Sequence, residues 1–227
     1  AAARAVGELA DTLLPTAWVL LELDPADFRV ASGGEAAEAS LCALFDDRLR
    51  QPLCGALRDV CAHLGSANAE RLVCAVGAAL AEQLERAALQ KRFDDLGAMV
   101  FSEQVRLLCD ALSELLTGRA STYGEAGEGG GARREPARTS VRPEFSRLTQ
   151  LAFILTAGSV HEAAGLVMSS LGGAASSGRG LTQRDAAAGL MLRVDFDPAE
   201  VRELLPDFVL DGLDEPDAHA HAAGAGE

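Results

Sequence analysis

Residues 142–155 read RPEFSRLTQLAFIL, and residues 181–205 read LTQRDAAAGLMLRVDFDPAEVRELL. In the first stretch Phe145, Leu148, Leu151, Ile154 and Leu155 recur every three or four residues, the spacing of one buried helical face. The second opens with Thr182 and Asp185 at capping-box spacing. It then sets Asp197, Pro198 and Glu200 at the N-cap, first and third positions of a further helix. Neither stretch holds a catalytic triad, a metal cluster or a phosphate loop. Together they predict short, individually capped helices, and the rest of the chain extends that reading.

Upstream, residues 3–14 predict a short leading helix, and residues 23–34 a loop with a turn at Asp24-Pro25-Ala26-Asp27. Ser32 and Glu35 have capping-box spacing and open a helix running to about His63, with Pro52 expected to kink or break it. Residues 69–91 predict the next helix, with Leu72, Val76, Leu80, Leu84 and Leu89 as its stripe. Gly97 reads as a break and Ser102 as the N-cap of a helix over 103–116. Residues 117–140 carry Gly, Ser, Pro and charge with almost nothing to bury, so they read as a flexible insert. Helices then follow over 141–156, from a Ser159/Glu162 box to about 171, over 186–192, and from Asp197 onward. The implied division is a bundle over 1–117, the insert over 118–140, a small helical domain over 141–212 and an acidic tail over 213–227.

Hydrophobic residues make up 48% of the chain but aromatics only 4%, which favours helices packed through Ala and Leu over a sheet. The net charge of −14 argues against nucleic acid and against adsorption to anionic lipid, both of which need clustered Lys and Arg. Ten acidic residues and one Arg follow position 194, so much of that charge sits at the end. The run TAWVLLEL, residues 16–23, is too short to span a bilayer. A start at AAAR, without Met or a signal pattern, reads as a fragment or a processed chain. Five Cys (Cys42, Cys54, Cys61, Cys74 and Cys109), with no C-x-x-C pair, read as buried thiols rather than a disulfide framework or a metal site. Asp24, Asp185, Asp197 and Glu200 all sit at helix starts, where capping accounts for them. No cofactor or metal is implied, and no nucleophile context is present.

Three motifs occur in order. They are L-E-R-x-x-L-x-x-x-F-x-x-L-G-x-x-x-F-x-x-x-V-R-x-L over 84–108, F-x-R-L-x-Q-x-x-x-I-L over 145–155, and L-T-x-x-D-x-x-x-x-L-x-L-R-x-D-F over 181–196. This set resembles the C-terminal end of the fourth subunit of the conserved oligomeric Golgi complex, a vesicle tether, over roughly 66–205. The resemblance implies an all-α helical bundle of the helical-rod tethering-complex type with a small C-terminal helical cap. It implies no catalysis, but protein–protein binding in retrograde intra-Golgi transport at the cytoplasmic face of Golgi membranes, with peripheral attachment through partners. Those partners would be the other subunits of the complex and syntaxin-class fusion proteins with their regulators. Two further readings are a subunit of another helical-rod tether such as the exocyst, and part of an enzyme whose active site lies upstream.

Arg147 sits on an otherwise apolar helix, either toward solvent or tucked against a neighbour with its guanidinium paired. The resemblance places an acidic residue opposite it, at Asp185, with Glu103 as the alternative. An Arg147–Asp185 ion pair would dock the C-terminal helices. Arg193 and Asp195 belong to the L-R-x-D-F motif and are expected to set the bend before the last helix.

Overall fold

The computed structural model describes residues 28–29, 34–122, 140–174 and 180–204. In chain order the helices are α1 (Gly34–Ala43), a π-helical stretch (Leu44–Arg50), α2 (Gln51–Ala62), α3 (Ser66–Ala88) and α4 (Asp95–Thr122). They continue with α5 (Ser146–Leu155), α6 (Val160–Ala174), α7 (Gln183–Leu190) and α8 (Pro198–Leu204). The fold is all-α, as expected. Among the described residues the β-type pairing is one isolated parallel bridge, Phe93 to Arg193.

Pro52 neither kinks nor ends its helix in the ordinary way. It enters the first turn of α2, where a missing backbone donor costs little, and the turn before it widens to π geometry. The Gln51 N–H donates to the carbonyl of Asp46, five residues back. Asp46 and Arg50 close the same turn with a 2.7 Å ion pair. Ser32, expected to open this helix, lies outside the described residues, as do residues 3–14.

The expected break at Gly97 and N-cap at Ser102 are corrected. The break falls at 89–94, and Asp94 supplies the cap, its carboxylate accepting the Gly97 N–H at 2.8 Å and its carbonyl the Ala98 N–H at 2.9 Å. Gly97 belongs to the first turn of α4. A Cβ there would lie 1.8 Å from the Phe28 carbonyl oxygen, so glycine serves close approach of backbone and not a turn. Helix α4 continues to Thr122, past the boundary expected at 117; residues 123–139 and 205–227 lie outside the described residues.

Phe28 enters a cluster with Phe93, Phe101 and Phe45, its ring centroid 4.8, 5.7 and 6.5 Å from theirs. This cluster pins the chain entry, α1, the π stretch and the start of α4. From it the core runs without a seam through Leu72, Leu80, Leu108 and Leu112 to Leu148, Leu155, Leu190 and Val201. Residue 141 is therefore no packing boundary. Val141 is itself buried, and Gly77 of α3 leaves it room, since a Cβ there would stand 2.5 Å from Val141 Cγ1. Helix α5 runs back along α4. Arg142, just ahead of α5, reaches Asp110 of α4 at 3.2 Å, while the end of α5 lies by the start of α4. That antiparallel pairing puts both arginines of the C-terminal motifs at helix junctions.

Candidate interaction site

Arg147, in the first turn of α5, holds three elements at once. Its Nη2 lies 2.7 Å from Glu85 Oε1 on α3 and 3.0 Å from Asp185 Oδ2 on α7. Its Nε adds bonds of 3.3 and 3.2 Å to the two Glu85 oxygens, and Nη1 donates to the Gly180 carbonyl at 3.2 Å. One helical turn on, Gln150 Oε1 accepts the Leu181 N–H at 2.7 Å. The R-L-x-Q spacing thus places Arg147 and Gln150 on one face, where both grip the 180–181 backbone. Leu148, between them in sequence, is fully buried.

Asp185 serves two masters. It completes a capping box with Thr182, accepting the Thr182 N–H and hydroxyl while its own N–H donates to Thr182 Oγ1 at 3.1 Å. Burial raises the Asp185 pKa, but the Thr182 hydroxyl and the Arg147 guanidinium outweigh it and hold the carboxyl below its ordinary range. The Arg147 guanidinium is held well above its ordinary pKa, first by its bonds to Glu85. Side-chain exposure is 36% for Arg147, 34% for Asp185 and 14% for Glu85, so Glu85 is the most enclosed of the three.

Glu103 is placed elsewhere. It pairs with Arg106 on the exposed face of α4 at 2.5 Å, and Arg106 continues to Asp110 at 3.2 Å. Glu85 was missed as a partner by sequence reasoning, although the L-E-R opening of the 84–108 motif contains it. An acidic residue in a helix interior has no local signal for a partner 62 positions away.

Arg193 forms the second junction, and it does more than set a bend. Its side chain is 1% exposed. Nη1 donates to the carbonyls of Leu155 and Ala157 at the end of α5, the latter at 3.0 Å. Helix C-termini favour cations, which suits a guanidinium there. Nε and Nη2 reach the two Asp195 oxygens at 2.8 and 2.5 Å, and Nη2 lies 3.5 Å from Asp95 Oδ1 on α4. The guanidinium carbon stands 4.3 Å above the Phe196 ring. Next to it Leu192 accepts the Phe93 N–H, and Val194 donates to the Phe93 carbonyl, both at 2.9 Å. Every fixed position of L-R-x-D-F is therefore engaged. Arg193 holds the Asp195 carboxyl below its ordinary range.

An open groove of about 450 Å³ lies beside the first junction, lined by Ala78, Glu82, Glu85, Pro143 and Arg147 among others. Among the described residues no three His, Cys, Asp or Glu side chains gather as metal ligands, and no helix is long and apolar enough to cross a membrane. None of the five cysteines is in a disulfide, and burial pushes the thiols of Cys42, Cys54, Cys74 and Cys109 up.

The described residues thus form an all-α bundle whose later helices are fastened by two arginine junctions beside an open groove. The family model described as "Conserved oligomeric Golgi complex subunit 4, C-terminal" matches residues 24–186. The chain belongs to this family, and so to the subunits of a Golgi-associated complex that works in tethering and transport. The match starts further upstream than the motifs alone suggested. It contains Arg147, Glu85 and Asp185, and it stops short of Arg193. No curated protein matches the chain.

Proposed function

We propose that this chain acts by protein–protein binding in the tethering of retrograde intra-Golgi vesicles, without catalysis. Its contacts are the other subunits of the complex and, beyond them, syntaxin-class fusion proteins and their regulators at the cytoplasmic face of the Golgi. The observation that carries this reading is the Arg147 junction. One half-exposed guanidinium fixes α3, α5 and the start of α7 relative to one another, so the surface those helices present has one shape. A preorganised surface is what a binding subunit needs, because ordering on association costs affinity.

The test is affinity purification of the protein from its own cells with mass spectrometry of what accompanies it. Stoichiometric recovery of the other complex subunits together with a syntaxin-class protein supports the proposal. Recovery of the subunits without any fusion protein removes the second half of it. Recovery of neither, from intact protein, removes it entirely.

A further inference from the structure

The groove beside the Arg147 junction has an apolar floor and a charged rim. On α3 it is lined by Ala78, Ala81, Glu82 and Glu85, the spacing of one helical face. That face runs for about two turns, roughly 10 Å. The opposite wall is Pro143 and Glu144, just ahead of α5, and then Arg147 and Leu148 in its first turn. Ala81 and Leu148 are buried and Ala78 is half-buried, so small and apolar side chains form the floor. The 2.7 Å pair of Arg147 with Glu85 ties the two walls together and sets the width between them.

Three carboxylates line this groove against two guanidiniums. Both cations are already engaged, Arg86 by Glu82 and Arg147 by Glu85 and Asp185. The rim therefore presents a net negative field. The field extends beyond the groove along α3. Burial pushes the Cys74 thiol up, and the carboxylates of Glu144 and Glu70 push it further. We propose, on the protein-binding reading above, that this groove takes an amphipathic helix rich in Lys or Arg from a partner protein. Its small apolar stripe would lie on Ala78 and Ala81, with its cations toward Glu82 and Glu144.

The sign of the charge selects this occupant. The rim and the whole chain, at −14, are both negative, so near and far fields draw the same cationic partner. A second copy carries the same −14 and is repelled, as are nucleic acid and anionic lipid. The shape selects a helix. A trough between two helical walls with alanines on its floor lets another helix approach closely, and the described residues offer no sheet edge to an extended peptide.

The probe is a labelled helical peptide with an Ala/Leu stripe flanked by Lys, and its counterpart with Glu for each Lys, titrated with the 227-residue chain by fluorescence anisotropy. The Lys peptide should bind, more weakly as salt rises, and the Glu peptide should not. Ala78→Trp fills the trough without changing charge, and Glu82→Lys reverses one charge of an exposed pair. Each should weaken the Lys peptide about tenfold with the melting temperature kept. Glu82→Lys alone carries the test if Ala78→Trp does not fold. Equal affinity in the variants and the unaltered chain overturns the proposal, because the peptide is then held by acidic charge elsewhere. Equal binding of the two peptides, or binding of neither, overturns it as well. Binding that appears only with Arg133→Ala/Arg134→Ala overturns it in favour of this chain's own basic stretch. Recovery of the complex subunits from cells alongside such a failure removes the groove proposal and leaves the function above standing, whereas absence of those subunits removes that function whatever the peptides do.

Discussion

The two arginine junctions solve one problem, fastening late helices to earlier ones, by opposite means. Arg193 is enclosed, with its charge met by Asp195, Asp95, two helix-end carbonyls and an aromatic face. Arg147 is half-exposed, and its charge is shared between two carboxylates and one carbonyl. A buried ion with every donor used is hard to remove, because its partners are left without compensation. A half-exposed one is screened by water and is cheaper to lose. The comparison assigns stability of the fold mainly to Arg193 and leaves Arg147 open to a role at the surface.

The largest expected effect follows from removing the enclosed cation. Arg193→Met should lower unfolding free energy by about 3–5 kcal/mol, read from urea denaturation, since Asp195 and the Leu155 and Ala157 carbonyls lose their donor. Arg193→Lys should recover little, because an ammonium cannot meet that planar set. Equal stabilities for Arg193→Met and the unaltered protein would dissolve the contrast between the junctions.

Arg147→Met should cost less, about 1–2 kcal/mol after allowing for solvent screening of a side chain that is 36% exposed. A double-mutant cycle sharpens this. Coupling of Arg147 with Glu85 should exceed its coupling with Asp185, since Glu85 is more enclosed and takes more of the bonds. The reverse order would make the cap of α7, and not α3, the anchor.

Acid should act on both junctions in the same pH window. The folded pKa values of Asp185 and Asp195 lie below their ordinary value of 3.8. The unfolded chain therefore takes up these protons first as pH falls. The stabilisation is fully present above the ordinary value and is lost as pH drops through the folded values. The melting temperature of Asp195→Asn should accordingly lose part of the dependence on pH that the unaltered protein shows below that value. The smallest effect belongs to the surface ladder: Arg106→Ala, which frees exposed Glu103 but leaves Asp110 its contact with Arg142, should leave the melting temperature unchanged within error.

What the sequence made legible was local. Thr182 and Asp185 form both halves of the predicted capping box, and the Asp197 carboxylate accepts the Ala199 N–H at 2.8 Å. The Ser159 box is half kept. Ser159 Oγ accepts the Glu162 N–H at 3.2 Å, while the Glu162 carboxylate takes the Gly158 N–H in place of that of Ser159. The Arg147–Asp185 contact was reachable only through the family motif. Physically, the failures share one cause. Gly97 looked like a helix breaker because the Phe28 backbone that requires it lies 69 positions away in sequence. Pro52 looked like a kink because nothing local announces a π turn ahead of it. Arg193 looked like a bend residue because its acceptors other than Asp195 come from the start of α4 and from the end of α5 and just beyond it.

The central claim is that the Arg147 junction shapes a binding surface and is more than a stabilising contact. It is tested most directly by purifying Arg147→Met and unaltered protein in parallel, at a temperature where both are folded, and quantifying the complex subunits recovered with each. The account predicts a clear loss of subunits with the folded Arg147→Met protein. Undiminished recovery would contradict it and reduce Arg147 to a structural tie.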